Sequence, residues 1–472
     1  MLKKAAMLVS GNALGSALLL ARNLIVARLV SPEDYGIAAT FAIVMSVVEM
    51  LSQFGLSQMI VVDKDGDDPR FQSVMQGFQL ARGVFASLVL LVIAHPTARF
   101  LGIEHVAWAY QVIAVVPLIN GLQHFDIHRL KRHLNFRPFI LSQSIPPLVA
   151  LLAIWPLALL YGDYRIMLIS LLVQAGAMAL LSHLAAERRY QIGFDLALIR
   201  RATVFGWPLL INGALLFGVF YGERVIVGRE LGMAALGVFS MAVTLTLTPT
   251  LVMANANQSA FLPHLSSARE RPAAFQWLGV AAVEAGLAAG LVLLLGIVLL
   301  GGPVVHLLLG EKYAAILPLL VPVAVLQAVR MAKTGSTTVA LSRERTGNAV
   351  AANLLRVSSL PVSWLVVHRT GDVMLLIWIA VGAEVLGYLL SLHLAARRTG
   401  LKLGPVVLPS LLAALTCAAA LAVDGFEPTL PDLAGHLLRW PLLVVMVCGL
   451  AALASMKALR GYIFRQIRNR AA

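Results

Sequence analysis

Long apolar runs dominate this chain, and several of them, such as residues 138–162 and 403–423, contain no Asp, Glu, Lys or Arg. A run of about 20 apolar residues crosses a bilayer as a helix, because lipid offers unpaired backbone groups no partner. The runs also lack the alternation of a membrane β-barrel. The pattern predicts an all-α polytopic membrane protein of about 14 transmembrane helices. The predicted spans are 5–29, 36–61, 76–95, 106–125, 138–160, 165–186, 206–228, 236–258, 275–301, 314–332, 347–368, 373–395, 404–424 and 438–457.

Composition agrees with this pattern. Hydrophobic residues make up 59% of the chain, charged residues 13%, and the mean hydropathy is +0.85. A soluble domain is about 45–50% apolar and about 25% charged. A large soluble protein is therefore excluded, because its surface needs more polar cover than this chain supplies.

The net charge of +14 is distributed over many short loops. If the N-terminus is cytoplasmic, 26 of the 37 basic residues fall in inward loops and the tail, whereas five fall in outward loops. The positive-inside rule then predicts a membrane protein with both termini in the cytoplasm. A nucleic-acid partner is not expected, because the basic residues do not gather on one face.

An internal repeat is visible at a constant offset of 201 residues. Ile25, Val26, Arg28 and Gly36 correspond to Ile226, Val227, Arg229 and Gly237. Six predicted spans separate the copies, which gives both the same orientation, as in transporters built from parallel repeats. The alternative is chance similarity between apolar helices. The repeat predicts a six-helix lobe over 1–201, a second over 202–403, an extra helix pair over 404–457 and a basic tail over 458–472.

Charged residues at membrane depth are the candidate functional groups. Each costs about 2.5–3.5 kcal/mol near the bilayer centre unless it is paired, solvated or close to an interface. Near the helix ends, snorkelling is the better interpretation for Arg28 and Arg229. The deeper candidates are Arg22, Arg82, Arg224, Arg356, Glu49, Glu223, Glu284 and Glu384.

These deeper groups leave alternatives open. A cavity role and a local ion pair are equally compatible with Arg22 and Arg224, and Arg82 could anchor headgroups. Arg356 and Glu384 are expected to pair with each other. Both Glu49 and Glu284 are candidates for ion coupling, although each could simply neutralise a neighbouring arginine. The same alternatives apply to Glu223, which precedes Arg224.

Prolines and polar runs predict interruptions of two spans. Pro146-Pro147 lies in the fifth span, and Pro249 and the polar run 255–259 lie in the eighth. Broken helices expose backbone dipoles, which suits a substrate pathway. Ordinary kinking of a continuous helix is the alternative.

Other chemistry is not indicated. There is no Walker loop, so we expect neither ATP hydrolysis nor a bound cofactor. His124 and His128 have helical spacing but no acidic ligand pattern beside them, and a solvated or headgroup-facing pair is the better interpretation. Cys417 and Cys448 lie in apolar runs, which indicates no disulfide framework or metal site.

Two segments resemble a known family. Residues 23–36, NLIVARLVSPEDYG, and residues 54–58, FGLSQ, are similar to the first two helices of O-antigen-type polysaccharide flippases. These belong to the multidrug/oligosaccharidyl-lipid/polysaccharide exporter superfamily. The resemblance implies a V-shaped pair of six-helix lobes around a cavity, with two extra helices. It also implies alternating access that moves undecaprenyl-diphosphate-linked oligosaccharide repeat units from the cytoplasmic to the periplasmic leaflet, for O-antigen or exopolysaccharide biosynthesis.

The resemblance also implies partners and a site. The partners are the polyprenyl-diphosphate-linked glycan, membrane lipids and, within an assembly line, a polysaccharide polymerase and a chain-length regulator. Arg22 matches the cavity arginine of the related lipid II flippases. Those proteins also have an arginine in the second helix, whereas here that helix carries Glu49 and no arginine, which favours an O-antigen or exopolysaccharide substrate over a peptidoglycan precursor.

Physical chemistry suggests how such a cargo would be held. A guanidinium fork matches phosphate oxygens, so Arg22 and Arg224 are predicted to clamp the diphosphate. The amides predicted to bond sugar hydroxyls are Asn12, Asn212, Asn255 and Gln258. The rival interpretations are a cation-coupled drug antiporter of the same fold, a lipid II flippase, a membrane-bound glycan polymerase or ligase, and a scaffold without transport.

Overall fold

The computed structural model describes residues 2–51, 54–422 and 440–471, and within them the chain is helical without strands. This confirms the predicted all-α class. Two short 3-10 helices, Glu104–Val106 and Glu311–Ile316, join longer elements. The α-helices are α1 (Leu2–Leu29), α2 (Pro32–Leu51), α3 (Leu56–Val62), α4 (Pro69–Phe100), α5 (Ala107–Ile113), α6 (Val115–Gly121), α7 (Asp126–Arg132), α8 (Arg137–Leu160), α9 (Arg165–Leu184), α10 (Leu196–Glu230), α11 (Gly232–Ser267), α12 (Pro272–Leu308), α13 (Leu317–Ser342), α14 (Gly347–Ser358), α15 (Leu360–Thr370), α16 (Val373–Thr399), α17 (Gly404–Leu421), α18 (Trp440–Ser455) and α19 (Lys457–Ala471).

The chain is a multi-pass membrane protein. Among the described residues, 10 helical segments are long and apolar enough to cross a membrane. Two bent pairs bring the number to 12: Glu104–Gly121 with Asp126–Arg132, bent by 48°, and Trp440–Ser455 with Lys457–Arg468, bent by 67°. The predicted number of 14 is therefore not confirmed. The ends of the predicted spans at 424 and 438 lie outside the described residues.

Aspartates that cap helix N-termini mark several of the turns between helices. Asp68 accepts a hydrogen bond from the backbone N–H of Arg70 and is followed by Pro69 at the first position of α4. The side chain of Asp195 accepts from two backbone N–H groups of α10, and Asp372 caps α16 in the same way. Such caps satisfy backbone donors that have no partner in the first turn.

The predicted interruptions at prolines are wrong. The fifth predicted span is the continuous helix α8, with Pro146 and Pro147 inside it, and the eighth is the continuous helix α11, with Pro249 inside it. The polar residues of α11 bond within or beside the helix instead of breaking it. The hydroxyl of Thr246 donates to the Ala242 carbonyl, for example, at 3.0 Å, and hydroxyl-to-backbone bonds of this kind are tolerated in helices.

The chain breaks elsewhere. Gly55 separates α2 from α3 with a φ of 63°, in the left-handed region that glycine adopts without a side-chain penalty. An added Cβ there would also meet the Leu209 side chain at 2.5 Å. A second break lies between α6 and α7, over residues 122–125. Neither break contains a proline; the first lies inside the predicted span 36–61, which was not expected, and the second lies at the end of the predicted span 106–125.

The residues of the internal repeat meet in space. A Cβ on Gly36 of α2 would overlap the carbonyl oxygen of Met233, and a Cβ on Gly237 would overlap the carbonyl oxygen of Pro32. The two contacts are equivalent under the repeat, because Gly237 lies 201 residues after Gly36 and Met233 lies 201 residues after Pro32. This reciprocity is what a parallel repeat produces, and it places Gly36 and Gly237 where two backbones approach closely.

Two compact units make up the chain, a first unit over Met1–Gly237 and a second over Val238–Ala472. In the first, α10 packs on α2. The predicted lobes, with their boundary after residue 201, remain a prediction. In the second unit, α12, α13 and α16 pack around a core that includes Val283, Leu287 and Leu392.

Candidate functional site

A polar cavity of about 420 Å³ lies in the first unit, where both helix breaks occur. Residues from each break line it, among them Gly55 from the first break and Gln123 and Phe125 from the second. Helices that end at membrane depth are tolerated where they line such a cavity. Five carboxamide side chains belong to the lining: Gln58, Gln79, Asn120, Gln123 and Gln143.

The cavity contains two of the predicted charged residues. Glu49 and Arg82 both line it and attract each other electrostatically. The Glu49 side chain is exposed to the open space, and Arg82 is half-buried. His128, predicted to be solvated or to face headgroups, also lines this cavity. The two opposite charges leave the cavity close to neutral.

Arg22 is buried at the interface of α1 and α9, with 7% of its surface exposed. Its Nη1 donates to the side-chain oxygen of Gln174 at 2.5 Å, and its Nε has no hydrogen-bond partner among the described residues. Its hydrogen-bond partner is thus a neutral amide, not a carboxylate. A buried guanidinium held in this way keeps its positive charge for an anion.

Glu223 and Arg224 are buried in α10, where the Arg224 guanidinium lies 5.5 Å from the centre of the Tyr221 ring. A cation over an aromatic face is stabilised at this distance. On the same helix Asn212 is half-buried. Asn12 belongs to α1, but its side chain lies outside the described residues.

A buried charge cluster lies in the second unit around Glu384 of α16. Lys333 Nζ is 2.5 Å from Glu384 Oε1, and Arg356 Nε is 3.2 Å from Oε2. Arg330 approaches the same Oε2 at 3.5 Å. Three cations therefore surround one carboxylate, and the four side chains together carry an excess of two positive charges. The cluster joins α13, α14 and α16.

Arg330 and Lys333 were counted among the 26 basic residues of the inward loops, at the end of the predicted span 314–332, and this was wrong. Arg330 and Lys333 lie inside α13, because that helix continues to Ser342. The polar residues that follow stay helical since their hydroxyls bond the preceding turn, as Ser336 does to the Lys333 carbonyl at 2.9 Å. The signal for them was Glu384, a carboxylate deep in a predicted span that needed partners.

Glu284 of α12 has a structural partner. Its Oε2 accepts the backbone N–H of Leu459 at 2.7 Å, in the first turn of α19. Unsatisfied N–H groups and the positive end of the helix dipole favour a carboxylate at this place. The contact accounts for the burial of Glu284, whereas its predicted role in ion coupling stays a prediction.

The polar residues of α11 separate into two sets. Asn255 and Gln258 are exposed on the surface of the second unit. Asn257, which was not singled out as a site residue, is buried and donates to the hydroxyl of Thr334 at 3.1 Å. Its partner lies one residue from Lys333, so α11 supports the helix that carries the cluster.

An apolar cavity of about 410 Å³ lies beside the same cluster. It is lined by α12, α13, α16 and α17, with Leu287, Tyr388 and Leu411 among the lining residues. Ala332 and Val385, the neighbours of Lys333 and Glu384, also line it. The cavity suits a hydrocarbon chain, because its walls supply few hydrogen-bonding groups.

An acidic loop over residues 63–68 joins α3 to α4 and is held by arginines of other helices. Arg201 of α10 contacts Asp63 at 2.6 Å and Asp65 at 2.8 Å, and Arg132 of α7 contacts Asp67 at 3.3 Å. The hydrogen bond from Arg201 lowers the pKa of Asp65. A hydrogen bond from His133 lowers the pKa of Asp67. The loop thus fixes the C-terminal end of α3, whose N-terminal end borders the polar cavity.

Comparison with known proteins places these features in a family. The family described as polysaccharide biosynthesis protein matches residues 25–318. The succinoglycan biosynthesis transport protein ExoT of Rhizobium meliloti (strain 1021) is 27% identical over 307 residues. That match covers 63% of this chain and 60% of the length of the relative.

Solved structures show the same fold. The lipid II flippase MurJ in an inward closed conformation gives a TM-score of 0.70 at 13% identity, with 99% of this chain and 100% of that chain covered. An inward-facing multidrug resistance MATE family transporter of the MOP superfamily gives 0.68 at 15% identity, covering 82% and 94%. The all-helical fold is thus one that these solved transporters share, and the family match extends over more than half of the sequence. The chain belongs to the polysaccharide biosynthesis protein family and has the fold of MOP superfamily transporters.

Proposed function

We propose that this protein is a flippase that moves undecaprenyl-diphosphate-linked oligosaccharide repeat units from the cytoplasmic to the periplasmic leaflet by alternating access, for O-antigen or exopolysaccharide biosynthesis. The observation that carries the proposal is buried positive charge in excess of its carboxylates. Arg22 is held by a neutral amide, and three cations share Glu384. An anionic cargo supplies the missing negative charge.

The diphosphate is the part of the cargo that meets the arginines. In the proposal, Arg22 and Arg224 contact its oxygens, since a guanidinium fork binds phosphate with two parallel hydrogen bonds. The hydrocarbon chain occupies apolar surface such as the cavity beside Tyr388. The protein moves the lipid without covalent chemistry, so no catalytic group and no cofactor are required. The amides Asn12, Asn212, Asn255 and Gln258 remain proposed sugar contacts.

The comparisons support the same assignment. The family is one of polysaccharide biosynthesis proteins, and a relative is described as a succinoglycan biosynthesis transport protein. In our proposal the chain lies in the bacterial inner membrane with both termini in the cytoplasm, as its basic loops favour. A polysaccharide polymerase and a chain-length regulator would act on the product after it has crossed.

A cation-coupled antiporter is the second candidate, because a MATE transporter shares the fold. Its chemistry needs a carboxylate that is available to a cation or proton. Three of the carboxylates at depth are already engaged: Glu49 faces Arg82, Glu284 caps α19, and Glu384 holds three cations. This arrangement favours the anionic cargo over a cationic drug. A lipid II flippase has the same fold and would also carry an anionic diphosphate. The identity of the lipid that accumulates in cells without the protein distinguishes this function from the first candidate.

Replacement of Arg22 by Ala tests the proposal in cells that lack the native gene. We expect the wild-type protein to restore polysaccharide export and Arg22→Ala to leave lipid-linked oligosaccharide on the cytoplasmic leaflet, because the diphosphate loses its cationic contact. Arg229→Ala is the matched control, since Arg229 lies in the last turn of α10 and donates to the Phe100 carbonyl. Normal export by Arg22→Ala at equal protein level would refute the role of Arg22.

A further inference from the structure

We propose that the polar cavity of the first unit, bounded by the two helix breaks, is a binding site for the uncharged sugar part of the lipid-linked cargo. This rests on the proposed function and adds a second set of sugar contacts to those proposed at Asn12, Asn212, Asn255 and Gln258. The cavity volume of about 420 Å³ falls in the range of small-ligand pockets. Its lining is dominated by hydrogen-bonding side chains.

Carboxamides suit sugar hydroxyls for a simple reason. A hydroxyl both donates and accepts, and a carboxamide offers two N–H donors and a carbonyl acceptor at neighbouring positions. The five amides Gln58, Gln79, Asn120, Gln123 and Gln143 come from α3, α4, α6, α8 and the break between α6 and α7. A polyhydroxyl ligand would therefore find partners on several sides, which offsets the cost of removing its hydroxyls from water.

Three of the five amides, Gln79, Asn120 and Gln123, are held in place by hydrogen bonds within the protein. Gln79 donates to the Asn120 carbonyl at 3.3 Å, and Gln123 donates to the Asn120 side-chain oxygen at 3.0 Å. Beneath them, Gln76 donates to the Gln123 carbonyl at 2.6 Å and accepts from the Phe125 backbone N–H. These bonds fix the break between α6 and α7. A site whose groups are fixed before binding loses less entropy when the ligand arrives.

The charge of the cavity distinguishes it from a phosphate site. Glu49 and Arg82 offset each other, so a diphosphate here would meet a carboxylate as well as an arginine. The excess positive charge lies elsewhere, at Arg22 and around Glu384. The rings of Phe54 and Phe125 supply apolar faces, as in ligand pockets that combine aromatic walls with a few polar groups. A neutral saccharide satisfies all of these features.

Binding to the intact protein in lipid nanodiscs tests the proposal with two probes. One is undecaprenyl diphosphate without sugar, and the other is undecaprenyl-diphosphate-linked repeat unit extracted from the producing cells. We expect the wild-type protein to bind the glycan-bearing lipid more tightly. In Gln58→Leu/Gln143→Leu, the affinity for that lipid should fall about tenfold, as the loss of two hydrogen bonds implies, while the affinity for the sugar-free lipid stays within about twofold.

Two further variants keep the test interpretable. Gln111→Leu is the matched control, because Gln111 is an exposed glutamine of α5 outside the cavity, and it should bind both probes as the wild type does. Gln79→Leu should repeat the selective loss from a different helix, whereas an unselective loss in both cavity variants would overturn the proposal. Equal wild-type affinity for the two probes would also overturn it and leave the flippase function intact. Failure of the flippase function itself appears separately, as normal export by cells without the protein.

Discussion

At the scale of residues, the distribution of charge inside the membrane is the feature from which function follows. The sequence was sufficient to single out Arg22, Arg356 and Glu384, because a charge in an apolar run is costly and therefore visible. It was not sufficient to find Arg330 and Lys333, which follow an apolar run and resemble loop residues until α13 is seen to continue past them. The amides of the polar cavity were missed because an uncharged glutamine in a helix costs too little to attract notice.

The Glu384 cluster gives a prediction about stability. Glu384→Gln removes the carboxylate that Lys333, Arg330 and Arg356 all contact, whereas Lys333→Met leaves the two arginines with this partner. Breaking a buried ion pair from one side costs about 3–5 kcal/mol when the remaining charge is uncompensated. We therefore expect Glu384→Gln to lower the thermal unfolding midpoint of the purified protein more than Lys333→Met does. A larger loss in Lys333→Met would contradict this charge balance.

At the scale of elements, helix continuity depended on partners that the sequence pattern did not show. Pro146 and Pro147 lie within the continuous helix α8. The polar run of α11 stays helical, and its Asn257 donates a hydrogen bond to Thr334. The breaks instead occur before α3, which begins directly after the left-handed Gly55, and at residues 122–125, whose backbone is held by Gln76. A local pattern identifies residues that can break a helix, but tertiary contacts decide which of them do.

The repeat glycines give a prediction about packing. Gly36→Ala and Gly237→Ala each place a Cβ against a backbone carbonyl that cannot rotate away, so we expect each to destabilise the protein by about 1–3 kcal/mol. Gly382→Ala in α16 is the control, because nothing lies within 4 Å of its added Cβ. There the better helix propensity of alanine should stabilise by about 0.5–1 kcal/mol. Thermal unfolding of the three variants would show the opposite signs, and equal shifts would argue against the close approach at Gly36 and Gly237.

At the scale of the whole molecule, the sequence predicted both the all-α membrane class and the family, from two different kinds of feature. Apolar length determines the class, and the segment around Arg28 and Gly36 carries the resemblance. The number of spans was harder to predict, since bent pairs such as α18 and α19 blur the distinction between one span and two helices. The orientation in the membrane remains a prediction that rests on loop charge, and the direction of transport remains a prediction that rests on the family resemblance.

Transport by the purified protein in proteoliposomes tests the central claim most directly. Vesicles are loaded with undecaprenyl-diphosphate-linked repeat unit. Its appearance on the opposite leaflet is measured over time through its oxidation by membrane-impermeant periodate. The account predicts that wild-type protein exposes the glycan much faster than protein-free vesicles do, and that Arg22→Ala is close to the protein-free rate. Exposure at the protein-free rate in vesicles containing folded wild-type protein would contradict the proposal that this protein flips lipid-linked oligosaccharides.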